Sequence, residues 1–152
     1  KNSNSCVIKI KRVTGSESQQ NGNFMNSAFP LLMVALGGSV GASARYLSTL
    51  WVNRYFVSEL PIATLTVNIV GSFFIGLLMM LLMKEGEGSH HARLLLVTGM
   101  LGGFTTFSSF SWETWTLIES GRLPMAIANI FLSVVICLIA TFAGIVLAKQ
   151  LT

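Results

Sequence analysis

The chain has 152 residues, of which 52% are hydrophobic and only 11% are charged, with a formal net charge of +4. A soluble domain of this length carries about 25% charged residues, so most of the surface of this protein faces something other than water. The apolar residues form long blocks, which is typical of membrane-spanning helices and not of a soluble globular domain. The length allows one membrane domain.

Residues 1–29 are polar and basic, and we expect them to form a disordered tail. Four basic residues and Glu17 give this segment a local charge of +3. No aromatic residues interleave with the basic ones, so nucleic-acid binding is not indicated. The segment also lacks the apolar core of a signal peptide. Met25 stands just before the first apolar block, and the sequence leaves open whether residues 1–24 belong to the natural chain.

Four apolar blocks follow the tail within a predicted membrane domain of residues 30–152. The blocks are Pro30–Leu50, Pro61–Met83, Leu94–Ile118 and Leu123–Ala148. Each is long enough to cross about 30 Å of hydrocarbon as a helix that rises 1.5 Å per residue. A polar loop, Lys84–Arg93, separates the second and third blocks. The sequence therefore predicts an all-α integral membrane protein with four transmembrane helices per subunit.

The distribution of positive charge does not fix the orientation of these spans. Without the tail, the basic residues on the two sides are Lys84, Arg93 and Lys149 against Arg54 and Arg122, with Arg45 close to the second side. The positive-inside rule needs an imbalance between the sides. The chain is therefore suited to insertion in both orientations, from which an antiparallel dimer would follow. A tail that held the N-terminus in the cytoplasm would work against dual insertion.

Two of the spans carry polar stripes. The stripes are Thr64, Asn68 and Ser72 in the second span and Asn129, Ser133 and Cys137 in the fourth. Residues four apart share one face of a helix, so each stripe runs along an otherwise apolar cylinder. Such residues often bond neighbouring helices to each other. Buried Asn is costly, however, and two stripes in one small protein favour the lining of a transport pathway.

The third span contains Gly102 and Gly103 followed by several hydroxyl residues at membrane depth. This composition predicts that the helix is broken at mid-membrane, and the alternative is a glycine kink that eases packing. Broken backbone is tolerated at this depth only where protein or a water-lined cavity satisfies its polar groups. Freed carbonyls can bind a cation, and freed N–H groups can bind an anion.

Aromatic and charged residues near this segment have two interpretations each. Phe107 and Phe110 lie on one helical face, and such a pair is usually core packing, but the positive ring edge can also approach an anion. Arg45 either extends to the membrane interface or draws anions to a vestibule. Glu113 either tethers that vestibule or simply occupies the interface.

Small-xxx-small spacing at Gly37/Gly41 and Gly99/Gly103 permits close approach of two helices.

The sequence offers little for catalysis. His90 and His91 lie in the polar loop without the spacing of metal ligands. There is no nucleophile–base set, phosphate-binding loop or dinucleotide fingerprint, so we do not expect an enzyme. Cys6 and Cys137 lie in the tail and in a span, and they do not indicate a disulfide.

Three segments resemble the signatures of the Fluc, or CrcB, fluoride channels. They are GGSVGASARY (Gly37–Tyr46), TLTVNIVGSFFIG (Thr64–Gly76) and GMLGGFTTFSSFSWE (Gly99–Glu113). The third is highly specific, and the resemblance covers residues 31–148. It implies a fluoride channel that exports fluoride passively across the plasma (cell inner) membrane. It also implies an antiparallel dual-topology dimer, with two fluoride pathways between the subunits and a structural sodium ion at the dimer centre.

The resemblance also assigns roles to residues of this chain. It implies that the backbone carbonyls of Gly102 and Thr105 hold the sodium ion. The implied fluoride pathway comprises Phe107, Phe110, Asn68, Ser108, Thr64 and Ser133, with Arg45 and Glu113 in the vestibule. Asn129 lies where some family members have Tyr, so its role stays open, and Ser109 replaces a common Thr.

Two other classes of membrane protein compete with the channel. A small-multidrug-type transporter also pairs four-helix subunits in antiparallel fashion, but it needs a titratable carboxylate at depth, and Glu113 is the only candidate. A non-transporting subunit of a larger membrane complex is the second alternative. A homodimer is the expected assembly under the channel hypothesis, and a heterodimer with a related subunit is the other option.

Overall fold

The computed structural model describes residues 3–56, 58–83 and 87–151, with side chains from residue 28 onward except at 87 and 88. All regular secondary structure in these ranges is helical. The helices are α1 (Ser3–Tyr55), α2 (Ile62–Leu81), α3 (Glu87–Ala92), α4 (Gly102–Phe104), α5 (Phe107–Glu119) and α6 (Leu123–Leu151). A π-helical segment, Arg93–Leu101, connects α3 to α4.

Within the described ranges, four helical stretches are long and apolar enough to cross a membrane, which confirms the four predicted spans. They are Ala28–Tyr55, Ile62–Leu81, Ser89–Glu119 and Leu123–Leu151. The third combines α3, the π-helical segment, α4 and α5. Within the predicted polar loop Lys84–Arg93, residues Glu87–Ala92 form the short helix α3. A polar segment can still be helical, since a helix satisfies its own backbone groups.

The chain divides into two units, Lys1–Leu32 and Met33–Thr152. In the first unit, α1 is helical from Ser3 onward and continues through Pro30, whereas composition alone predicts disorder for residues 1–29. The division between a tail and a membrane domain at residue 30 stays a prediction. The second unit contains all the residues of the candidate site.

Within the second unit, α1 lies very close to the third span. The two predicted small-xxx-small pairs, Gly37/Gly41 and Gly99/Gly103, face each other. A Cβ atom on Gly41 would collide with the backbone of Met100, and one on Gly99 would lie 3.0 Å from the Cα of Gly37. Because lipid tails are as apolar as leucine, helices in a membrane associate through such close packing rather than through the hydrophobic effect.

Helices α2 and α6 form a second close contact, which the sequence analysis did not anticipate. A Cβ atom on Gly76 would collide with the backbone of Thr141, and one on Gly144 would collide with the backbone of Phe73. The Thr141 hydroxyl donates a hydrogen bond to the carbonyl oxygen of Ser72 at 3.1 Å. Small residues and a cross-helix hydrogen bond thus hold α2 and α6 together.

A tight turn connects α5 to α6. Gly121 has a φ of 72°, in the left-handed region that side chains rarely occupy. The N–H of Arg122 donates to the carbonyl of Leu117 at 2.9 Å, which closes the end of α5. The turn therefore fixes Arg122 at the same end of the bundle as the connection between α1 and α2.

Candidate ion pathway

The third span is interrupted at Thr105 and Thr106. Both residues have extended backbone, with φ and ψ of −77° and 156° at Thr105 and of −149° and 117° at Thr106. This confirms the predicted break in the third helix. The glycines Gly102 and Gly103 are themselves helical, so the break follows them by two residues.

Asn68 of α2 satisfies the broken backbone. Its Nδ2 donates to the carbonyl oxygen of Thr106 at 2.9 Å, and its Oδ1 accepts from the N–H of Thr106 at 2.8 Å. Thr106 is only 7% exposed, so these groups would be costly to leave unpaired. The sequence suggested that the Asn68 amide serves a permeating ion, whereas the structure uses one of its two N–H donors and its oxygen to hold the break.

The side chain of Thr106 starts the next helix. Its Oγ1 accepts from the N–H of Ser109 at 3.1 Å and is the N-cap of α5. The same Oγ1 lies 3.1 Å from the hydroxyl of Ser108. Because the N–H groups of Thr106 and Ser109 bond to side chains, the carbonyls four residues earlier, on Gly102 and Thr105, lose their helical donors.

A cavity of about 360 Å³ lies beside the break, and we call it the break cavity. Its lining residues are Asn68, Ser72, Ile75, Thr105, Thr106, Phe107, Phe110, Ser133, Val134, Cys137, Leu138 and Thr141. Both predicted polar stripes reach it, the α2 stripe through Asn68 and Ser72 and the α6 stripe through Ser133 and Cys137. Ser133 is 9% exposed, and Cys137 is a free thiol. The two stripes therefore converge on one site.

The rings of Phe107 and Phe110 border the break cavity from the first turn of α5. Their centroids are 5.3 Å apart with an angle of 49° between the planes. Phe107 is 78% exposed, more than any other large hydrophobic residue in the described part of the chain. This exposure argues against the interpretation of Phe107 as core packing within one subunit, and it leaves the ring free to contact an ion or a second chain.

A second cavity, of about 280 Å³, adjoins the first at Thr106, and we call it the vestibule cavity. Arg45, Thr64 and Glu113 all line it. The Thr64 hydroxyl donates to Glu113 Oε1 at 2.6 Å, while the buried Oε2 of Glu113 has no hydrogen-bond partner among the residues described here. The structure thus brings together the two predicted vestibule residues and places Thr64 beside them.

Two predicted site residues lie apart from both cavities. Gly102 and Ser108 are exposed and line neither cavity. Both are close in the chain to the break, Gly102 before it and Ser108 after it. Their predicted contacts with an ion stay predictions.

Asn129 has a role that the sequence analysis left open. It is 2% exposed, and its Nδ2 donates to Thr114 Oγ1 at 2.8 Å. The Thr114 hydroxyl in turn donates to the carbonyl of Phe110 at 2.7 Å. These two hydrogen bonds link α6 to the first turns of α5, next to the phenylalanine pair. Thr114 was missed, although a buried Asn requires a partner on a neighbouring helix.

Comparison with known proteins identifies the family. The family model described as "CrcB-like protein, Camphor Resistance (CrcB)" matches residues 32–145. Proteins named "Fluoride-specific ion channel FluC" are similar to this chain. One from Sphingopyxis alaskensis is 48% identical over 84% of this chain and 98% of its own length. One from Agrobacterium fabrum is 46% identical over 80% of this chain and 97% of its own length. One from Ruminiclostridium cellulolyticum is 45% identical, with coverages of 84% and 98%. The family model matches most of this chain, and the similarity to these relatives extends over nearly all of their lengths. This chain therefore belongs to the CrcB family.

Proposed function

We propose that this protein is a fluoride-selective channel that releases fluoride passively across the plasma membrane and so relieves fluoride toxicity. The observation that carries the proposal is the break cavity, where hydroxyl and amide groups and two phenylalanine rings meet in the middle of a span. Relatives of this chain are named as fluoride-specific ion channels. A channel of this family is a transport protein and not an enzyme.

The lining of the break cavity suits fluoride. Fluoride is small and tightly hydrated, so a pathway must replace its water with hydrogen-bond donors such as the second N–H of the Asn68 amide and the Ser133 hydroxyl. The positive edges of Phe107 and Phe110 supply further contacts without a mobile proton. The described residues that line this cavity carry no formal charge. A lining without a deep electrostatic well lets the ion leave again.

We assign the remaining site residues by their positions. Arg45 draws fluoride into the vestibule cavity, where the Thr64 hydroxyl and Glu113 form a polar wall. Ser108, exposed next to the phenylalanine pair, contributes its hydroxyl from the surface that a second subunit covers. Asn129 positions α6 against α5 and does not contact the ion.

The functional unit is an antiparallel dimer of dual-topology subunits. Two arguments support this assembly: one four-helix subunit has little interior for a pore, and the exposed ring of Phe107 beside the break cavity is available to a second chain. A second copy of this chain is the simplest partner. A heterodimer with a related subunit would replace it if the basic N-terminal segment locked a single orientation.

The freed carbonyls at the break are suited to a structural sodium ion. Gly102 and Thr105 each lose a helical donor, and broken-helix carbonyls bind hard cations in other membrane proteins. In an antiparallel dimer the two subunits would supply four such oxygens around the central axis. The ion would compensate for the missing hydrogen bonds of these carbonyls and so stabilise the break.

Fluoride efflux from proteoliposomes that contain only this protein tests the proposal. A fluoride electrode should record rapid release, and chloride, as the control anion, should not leave. Phe107→Ile and Phe110→Ile should each reduce fluoride efflux strongly while the protein stays folded. Phe142→Ile is a matched control, because Phe142 is 67% exposed and lines none of the cavities described here. Full efflux in both site variants would refute the role of the rings.

The competing function is proton-coupled export by a small-multidrug-type transporter. The observation that favours it is Glu113, a carboxylate inside the third span with one unpaired buried oxygen. Glu113→Gln should abolish transport in such an exporter but only change the rate in a channel. Fluoride release by the purified protein alone would also exclude a purely structural subunit of a larger complex.

A further inference from the structure

A third cavity, of about 390 Å³, lies where α1 and α5 end and α2 and α6 begin, and we call it the mouth cavity. Asn53, Ser58, Glu59 and Arg122 supply polar groups to its lining. Arg122 Nη1 lies 3.7 Å from Glu59 Oε1, and the two side chains are 45% and 63% exposed. The mouth cavity therefore carries an ion pair that water can reach.

The three cavities form a series. Thr106 lines both the break cavity and the vestibule cavity. Thr49 and Glu113 line both the vestibule cavity and the mouth cavity. Neighbouring cavities thus share walls from the middle of the third span to the end of the bundle, where the turn at Gly121 places Arg122.

We infer that the mouth cavity is the outer entrance of the ion pathway and that the Glu59–Arg122 pair sets the local concentration of anions there. The inference rests on the proposed function and adds two residues to it. A pair this exposed contributes little to stability, but its two formal charges cancel, and Glu113 adds a further carboxylate to the lining. Replacement of one partner therefore changes the local charge by one unit, which raises or lowers the concentration of an anion in front of a low-dielectric passage, and salt screens the effect.

Charge-removing variants test the entrance. Initial fluoride efflux from proteoliposomes is measured below saturating fluoride, at low ionic strength and again with about 1 M of an impermeant salt. Glu59→Gln exposes the full charge of Arg122 and should raise efflux by about two- to threefold at low ionic strength. Arg122→Gln should lower efflux by a similar factor. The double variant should resemble the unmodified protein, and all differences should vanish in high salt.

Glu119→Gln is the matched control. Glu119 ends α5 at the same end of the bundle, and its replacement removes the same charge, but it does not line the mouth cavity. Its efflux should change less than that of Glu59→Gln, because Glu119 does not line the mouth cavity and the potential of a charge falls with distance. Equal behaviour of Glu59→Gln and Glu119→Gln, whether both change efflux or neither does, would overturn the inference. Absence of fluoride efflux from the unmodified, folded protein would instead refute the proposed function, so the two failures are distinguishable.

Arg122→Gln is expected to fold. The backbone N–H of Arg122, which closes the end of α5, is unaffected by the substitution. Among the described residues, the side chain loses its contacts with Glu59 and with the Ser120 hydroxyl, whose Oγ lies 3.4 Å from Nε. If the double variant regains normal efflux, misfolding is excluded as the cause of slow efflux in Arg122→Gln. If the double variant is as slow as Arg122→Gln, the two charges are not coupled and the inference is contradicted.

Discussion

Replacement of Asn68 by Ala removes both hydrogen bonds that hold the break in the third span. The N–H and the carbonyl of Thr106 then lose their partners at a site where Thr106 is 7% exposed. An unsatisfied buried polar group costs about 1–3 kcal/mol, so the upper limit for two groups is about 6 kcal/mol. The adjoining break cavity is large enough to admit water, which can pair with one of them. We therefore expect Asn68→Ala to lower the free energy of unfolding by about 2–4 kcal/mol.

Reversible unfolding by sodium dodecyl sulfate in mixed micelles, followed by tryptophan fluorescence, measures this difference. Ser72→Ala is the control, because Ser72 lies one turn further along the same polar stripe and lines the same cavity. Its hydroxyl makes no contact with Thr106, so its removal should change stability by about 0.5 kcal/mol or less. If Asn68→Ala lowered the free energy of unfolding by less than about 1 kcal/mol, or by no more than Ser72→Ala does, the role of Asn68 in holding the break would be refuted.

Two further predictions concern helix packing. Gly41→Ala should destabilise the protein by about 1–3 kcal/mol or more, because the added Cβ would collide with the backbone of Met100. Gly38→Ala is the control and should be tolerated, because its Cβ would lie 3.9 Å from the nearest atom. Thermal unfolding in detergent compares the two, and equal midpoints would contradict the close approach. Asn129→Leu and Thr114→Val should show a coupling of about 0.6–1.7 kcal/mol in a double-mutant cycle, and strictly additive losses would mean that their hydrogen bond contributes nothing.

The sequence predicted the architecture well because hydropathy and helix periodicity are local properties. Twenty consecutive apolar residues must form a helix in lipid, since no water is present to pair with their backbone groups. The two glycine pairs Gly37/Gly41 and Gly99/Gly103 were likewise visible as spacing, and the structure packs them against each other. Gly76 and Gly144 make an equally close contact but lie on different helices as single residues, so no spacing within one helix revealed them.

The candidate site was predicted less completely. Spacing showed that Asn68 and Ser133 lie on polar faces, but their convergence on one cavity depends on how α2 and α6 pack against α5. The partner of Asn129 was missed for the same reason, because Thr114 is 15 residues away in the chain. The mouth cavity, with Glu59 and Arg122 from two different connections, had no signal in the sequence at all.

The sequence by itself thus determined the four spans and the break in the third, because each follows from the composition of one continuous segment. Only the tertiary structure decided that Asn68 forms two hydrogen bonds with the backbone of Thr106 and so holds the break. A hydrogen bond across helices depends on their relative rotation and separation, and these are set by the sum of many packing contacts between distant parts of the chain.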